Sequence, residues 1–165
     1  MGNMLLQYTD IVFDAKPDAV PYNYRISYKV TQLCLILRIC CWRDTCSLIK
    51  LHMISFALIS RTNMDKLLEF SEGTGIAPIV RFDPAVNRAL AYAIAYGFIE
   101  QQQNAKYKLT DRGQKLAEQI KQVGDLMVVE IRDLTMLAKK FPETKVKEII
   151  DIWKVRNAKD KQTEN

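Results

Sequence analysis

The stretch ALAYAIAYGFIEQQQNAKYKLTDRGQKLA, residues 89–117, decides how this chain is read. It opens as a helix built on small apolar residues. Gly97 closes that helix, because glycine alone takes the left-handed position after a helix without strain. Phe98, Ile99 and Glu100 read as a short strand. Gln102-Gln103-Asn104-Ala105 is a polar turn, and Tyr107-Lys108-Leu109 alternates as the return strand. Thr110 suits the N-cap of a helix opening at Asp111, whose acid the helix dipole favours in the first turn.

Helix, glycine, hairpin and capped helix is the layout of a winged helix-turn-helix domain. The expected fold class is therefore mainly α with a small β-hairpin. Winged helices bind DNA, RNA or only other proteins, so the layout specifies a fold and leaves the function open.

Toward the N-terminus, residues 1–24 read as an extended arm. Residues 5–13 are β-prone, and Pro17 and Pro21 punctuate residues 14–24. The arm either packs on its own domain or pairs with a partner chain. Residues 24–42 form the first strong helix, with Ile26, Val30, Leu33, Leu37 and Cys41 at helical spacing. Leu35, Ile36 and Ile39 widen that stripe, so the helix is buried on most sides or faces a partner. Arg43-Asp44-Thr45 breaks it. A second helix is expected over residues 46–60, and Asn63 is placed to cap a third over 64–71. Glu72-Gly73-Thr74-Gly75 lacks the Gly-Lys-Ser/Thr or third glycine that a phosphate loop needs, so it reads as a turn. Residues 76–82 read as a short strand, followed by Asp83 as N-cap and Pro84 as first residue of a helix over 84–96.

Beyond the hairpin, residues 112–123 are amphipathic. Leu126, Val129, Asp133, Leu134, Leu137 and Phe141 then trace a mostly apolar helical seam that Pro142 ends. A last helix over 144–155 carries Val146, Ile149, Ile150 and Trp153. The domain plan is thus an arm (1–24), a winged-helix domain (25–123), a C-terminal helical hairpin (124–156) and a flexible tail (157–165). Such a hairpin either dimerises, grips a partner or packs back on the domain.

The chain has 165 residues, is 48% hydrophobic and 26% charged, and has a net charge of +5. These values describe an ordinary globular chain able to bury a core without disulfide or metal staples. The mild basicity permits nucleic-acid contact without requiring it. Residues 1–80 carry 8 basic and 7 acidic side chains and residues 81–165 carry 16 and 12, so the excess lies in the C-terminal half. No secretory signal is expected from the start Met1-Gly2-Asn3-Met4-Leu5-Leu6. The apolar runs 33–42 and 48–59 are broken by Arg38, Lys50 and His52 and are too short for a bilayer. Cys34, Cys40, Cys41 and Cys46 show no CxxC spacing and read as reduced thiols, which points to a cytoplasmic protein.

Catalytic chemistry is thinly supplied. His52 is the single histidine and fits no zinc-ligand spacing with the cysteines. The cysteines lie in apolar surroundings, where burial disfavours a thiolate. The acids are scattered along polar faces rather than converging. The expectation is a protein that is not an enzyme and uses no cofactor or metal. A small enzyme using a cysteine and His52 is the weakest reading.

Nucleic-acid contact would rest on Lys106 and Lys108 in the wing and Arg112 just after it, as phosphate contacts without sequence readout. In the helix over 84–96, at the recognition position, Asn87 and Arg88 are the only side chains suited to base edges. Its remaining residues are mostly small and apolar, which suits a helix that is buried or docked against protein. The candidate partner interface therefore comprises Tyr92, Leu134, Leu137, Phe141, Ile149, Ile150 and Trp153.

Residues 46–58 (CSLIKLHMISFAL), residues 80–90 (VRFDPAVNRAL) and the wing together resemble the small middle component of bacterial ABC-three-component systems, antiphage or antiplasmid defence operons of the Lamassu type. The resemblance covers residues 25–120. It implies an adaptor that bridges an SMC- or Rad50-like ATPase and an effector such as a nuclease, with the ATP chemistry in the partner. It supplies no catalytic residues. The rival reading is a homodimeric winged-helix transcriptional regulator that binds an operator.

Overall fold

A computed structural model describes residues 25–163. Seven helices and one small sheet succeed one another in chain order. They are α1 (Ile26–Cys40), β1 (Thr45–Cys46), α2 (Leu48–Ala57), α3 (Arg61–Ser71), α4 (Pro84–Ala95), β2 (Ile99–Gln101), β3 (Tyr107–Leu109), α5 (Asp111–Val123), α6 (Val128–Leu137) and α7 (Glu143–Thr163). The fold is mainly helical with a three-stranded antiparallel sheet in the order β1-β3-β2. Residues 1–24, where the extended arm was expected, lie outside the described residues.

Helix α1 is the axis of the molecule. Val30, Leu33, Cys34, Leu35, Ile36, Leu37 and Cys40 are all buried, as its broad apolar stripe requires. It packs against α2, α4, α5 and α6. Helix α4 approaches it through Ala85, Val86, Ala89, Leu90 and Ala93, whose small side chains allow close contact.

The hairpin forms where the sequence places it, with Ile99 opposite Leu109 and Gln101 opposite Tyr107. Gly97 takes φ 76°, as the end of α4 demands. Thr110 caps α5, its hydroxyl oxygen accepting from the Gly113 amide at 3.1 Å. Gly113 itself is a packing requirement. A Cβ there would fall on the Phe98 carbonyl oxygen and the Leu109 side chain, so only glycine lets α5 lie on the hairpin.

Four local expectations are corrected. Residues 43–45 do more than break α1. Arg43 and Asp44 take φ 53° and 54°, turning the chain into β1, which pairs Thr45 with Lys108 and Cys46 with Tyr107. Cys46 is therefore strand, and α2 starts after Ser47, whose hydroxyl accepts from the Lys50 amide at 3.2 Å. Two residues are too few for an alternating pattern to register.

Next, α2 ends at Ala57, and α3 is capped by Ser60 rather than Asn63. Asn63 lies inside the first turn, donating its side-chain amide to the Phe56 carbonyl at 3.3 Å. Third, residues 76–83 form neither helix nor strand. Pro78 lacks the N–H a ladder needs, and its carbonyl accepts instead from Trp153 Nε1 at 3.3 Å. Fourth, the expected flexible tail is helical through Thr163.

The last two helices pack back on the body, α6 against α1 and α7 against α2. Tyr28 donates to Glu130 at 2.5 Å, and Arg61 pairs with the buried Asp133 at 2.7 Å. The Ser47 amide and hydroxyl both donate to Glu143, at 2.8 and 2.9 Å, fixing the start of α7 to the start of α2. One buried apolar cluster runs from Val30 to Ile149. Among the described residues no helix is long and apolar enough to cross a membrane.

Candidate partner-binding surface

The structure divides the seven candidate interface residues. Leu134, Leu137, Phe141 and Ile149 are 0% exposed and belong to the central core. They are corrected from interface to core: their partners are α1 and its neighbours, and a second protein could reach them only by opening the fold. Ile150 and Trp153 are half-buried against that core. Trp153 also holds residues 76–83 in place, through its bond to Pro78 and an edge contact with Phe82 at 6.5 Å between ring centroids. Trp153→Ala therefore perturbs the fold and does not report on a partner alone.

Tyr92 is different. It stands beside the buried stripe of α4, 48% exposed, with Tyr96, 56% exposed, one turn on at the helix end, while Ile94 flanks the stripe on its opposite side. The Tyr92 ring stacks on Tyr96, with centroids 6.3 Å apart and planes 17° apart. Tyr96 leans on Phe98 at 6.5 Å, and the Arg112 guanidinium sits over the Phe98 ring, 5.0 Å from its centroid. These four side chains form a contiguous patch from the end of α4 across β2 to the start of α5. The cation over Phe98 is held electrostatically by the ring face. Sequence reasoning named Tyr92 and Arg112 and missed Tyr96 and Phe98. The signal was present: Tyr92 and Tyr96 are four apart, offset by one position from the buried alanines at 85, 89 and 93.

The nucleic-acid candidates are scattered by comparison. Asn87 is exposed on α4, but its Oδ1 lies 2.9 Å from His52 Nε2. With Nε2 as donor, His52 Nδ1 is an acceptor, and that buried atom has no partner among the described residues. Asn87 is thus committed to tying α4 to α2. Arg88 is exposed on the same helix. Lys106 and Lys108 project from the same face of the hairpin by strand alternation, and the register sets Glu100 directly across from Lys108. That carboxylate reduces the positive field a phosphate would meet on this face. Arg112 is spent on Phe98.

The thiols are enclosed. All four cysteines are buried, and burial pushes Cys34 and Cys40 up to about 12. Cys46 shares a hydrogen bond with Cys41, which holds Cys41 below the ordinary thiol value and raises Cys46 well above it. Lys50 Nζ and Lys139 Nζ donate to the carbonyls of Cys40 and Cys41, at 3.1 and 2.7 Å, and so serve the end of α1. His52 and these cysteines do not share a cleft wall: the cleft beside Cys40 is lined by Trp42, Thr45, Lys50, Lys139, Pro142 and Glu143.

No family model, no curated protein and no solved structure matches this chain.

Proposed function

We propose that this chain is a non-catalytic winged-helix adaptor of a multi-protein defence complex, docking an SMC- or Rad50-like ATPase and an effector subunit. The winged-helix reading is supported by the strand order β1-β3-β2, with α4 directly ahead of the hairpin and α5 capped directly after it. On this reading α4 stands at the recognition position and α3 is an added helix.

The observation that carries the adaptor reading is the outer surface of α4. A helix reading DNA bases should spend that surface on donors and acceptors. Here its exposed side carries only Asn87 and Arg88 of that kind, beside Ala91 and Ala95, and Tyr92, Tyr96, Phe98 and Arg112 form an aromatic patch at its C-terminal end. Tyrosine, phenylalanine and arginine in one patch are the chemistry of interface anchors, with large apolar area and polar ends that find partners. A stable complex buries roughly 1,200–2,000 Å² in total, so the patch would form the centre of a wider contact. The wing lysines would add sequence-independent phosphate contact to the assembly.

Co-expression with its genomic neighbours, followed by affinity purification, tests the reading. A coiled-coil ATPase should co-elute in stoichiometric amount, and Tyr92→Ala with Tyr96→Ala should weaken that association by roughly tenfold or more. A lone homodimer that binds a palindromic operator, with binding reduced by Asn87→Ala and Arg88→Ala, would establish the regulator instead.

A further inference from the structure

A second apolar site lies outside the patch at the end of α4. A cleft of about 490 Å³ opens between α2, α3 and residues 76–81, and Arg156 of α7 completes its lining. That volume is typical of a preformed binding site. Met53, Leu67 and Ala77 line it as buried apolar wall. Ile76 and Ile79 line it too, but are 82% and 75% exposed. Exposed isoleucines beside an apolar cleft mark a surface that something else covers. The wall over 76–81 is fixed in place although it is neither helix nor strand. Trp153 Nε1 donates to the Pro78 carbonyl at 3.3 Å, and the nearby Asp83 pairs with Lys29 at 3.7 Å. The cleft therefore needs little ordering when it is filled.

The charges around the cleft select its occupant. Lys66 on α3, Arg81 on the irregular wall and Arg156 on α7 all line it, and all are exposed. Among the described residues none of the three has an ion-pair or hydrogen-bond partner. Arg38, Arg61 and Arg112 by contrast are engaged, the first two with carboxylates and the third with Phe98. Glu69 is the single acid in the lining. A basic occupant would meet like charge. A small anion held inside would leave Ile76 and Ile79 in water. Covering both isoleucines and reaching cations on three separate elements takes a chain segment with several carboxylates set among apolar side chains.

We propose that this cleft docks an acidic, apolar segment of a partner protein. Its apolar side chains fill the space beside Met53, Leu67 and Ala77 and cover Ile76 and Ile79. Its Asp and Glu side chains pair with Lys66, Arg81 and Arg156. The site is separate from the Tyr92 patch and stands whether or not that patch docks an ATPase.

The test is selection of a phage-displayed library of short random peptides on the full chain, followed by fluorescence anisotropy of the enriched peptides made synthetically. The enriched peptides should carry Asp or Glu among large apolar residues. Their affinity should fall at least roughly tenfold in Arg81→Glu with Arg156→Glu, and by a similar factor in Ile79→Asp. Tyr92→Ala with Tyr96→Ala should leave it unchanged. In the unaltered chain, where no substitution can disturb folding, the methyl resonances of Met53 and Ala77 should shift as peptide is added. Failure to enrich any peptide overturns the proposal. So do enriched peptides without acids, affinity that the charge reversals leave intact, and methyl resonances that stay still. Self-association of the chain that Ile79→Asp abolishes would give the cleft to a second copy, and overturns it equally.

Discussion

Along α6 and the turn after it, Leu134, Leu137 and Phe141 are sealed from solvent by α1 and its neighbours. At the C-terminal end of α4, Tyr92 and Tyr96, four residues apart, stand in the open. Both sets are large apolar residues at helical spacing, and neither spacing nor composition separates them. What separates them is the second surface. The C-terminal helices fold back and find α1 and α2 free to receive them. Helix α4 has already given its small-residue side to α1, and nothing among the described residues covers the other side. The candidate surface is thus what remains apolar after the chain has packed on itself.

Phe141→Ala puts this contrast to its severest test. If Phe141 is core, the loss should be about 3–5 kcal/mol of unfolding free energy, read from urea denaturation. A loss near zero would return the C-terminal seam to the set of interfaces. Gly113→Ala tests whether the hairpin is held on α5 tightly enough to present Phe98 at a fixed place. Helix propensity alone favours alanine by about 1 kcal/mol. The collision with the Phe98 carbonyl should override that and give a net loss of about 1–3 kcal/mol. A more stable Gly113→Ala variant would mean that the contact is loose.

Tyr92→Ala with Tyr96→Ala probes the open side. Stability should change by no more than about 0.5 kcal/mol for each exposed substitution. A loss on the Phe141 scale would make the patch core and remove the support for docking there.

The smallest effect expected is on pH. Arg38 donates Nε to Glu118 at 3.0 Å and Nη1 to Asp44 at 3.0 Å, joining α1 to α5 and to the turn before β1. The hydrogen bond from Arg38 holds Glu118 below the usual carboxylate range. The contribution is therefore fully present above the pKa of Glu118 in the unfolded chain and is lost as pH falls through its folded value. Glu118 is substantially exposed, so solvent screens most of it. The fall in urea midpoint between neutral and acid pH should be slightly smaller in Glu118→Gln than in the unaltered chain, and an equal fall would show the pair to be energetically silent.

Much of the architecture was legible because it rests on local rules. Thr110 and Asp83 cap helices, Gly97 ends one and Pro84 begins one, each for a reason contained within a few residues. The hairpin was legible as a polar turn between two alternating triplets. The missed strand β1 was illegible for the opposite reason: Thr45 and Cys46 are strand only because β3, sixty residues later, is there to pair with them. Residues 76–82 show the converse. They look like a strand, but Pro78 and the surrounding helices leave them without one among the described residues.

The candidate surface divides in the same way. Amino-acid identity was enough to establish that α4 is poor in base-reading groups, because Asn87 and Arg88 are its only such side chains, and no packing can change that chemistry. It was enough also for most of the helices, the caps at Asp83 and Thr110, and the hairpin, since hydrogen-bond valence and backbone sterics act locally. Which apolar stripes are core was settled by tertiary packing alone, because burial depends on which other surface arrives first. Packing enclosed Leu134, Leu137, Phe141 and Ile149, tied Asn87 to His52, and brought Tyr92, Tyr96, Phe98 and Arg112 into one exposed patch.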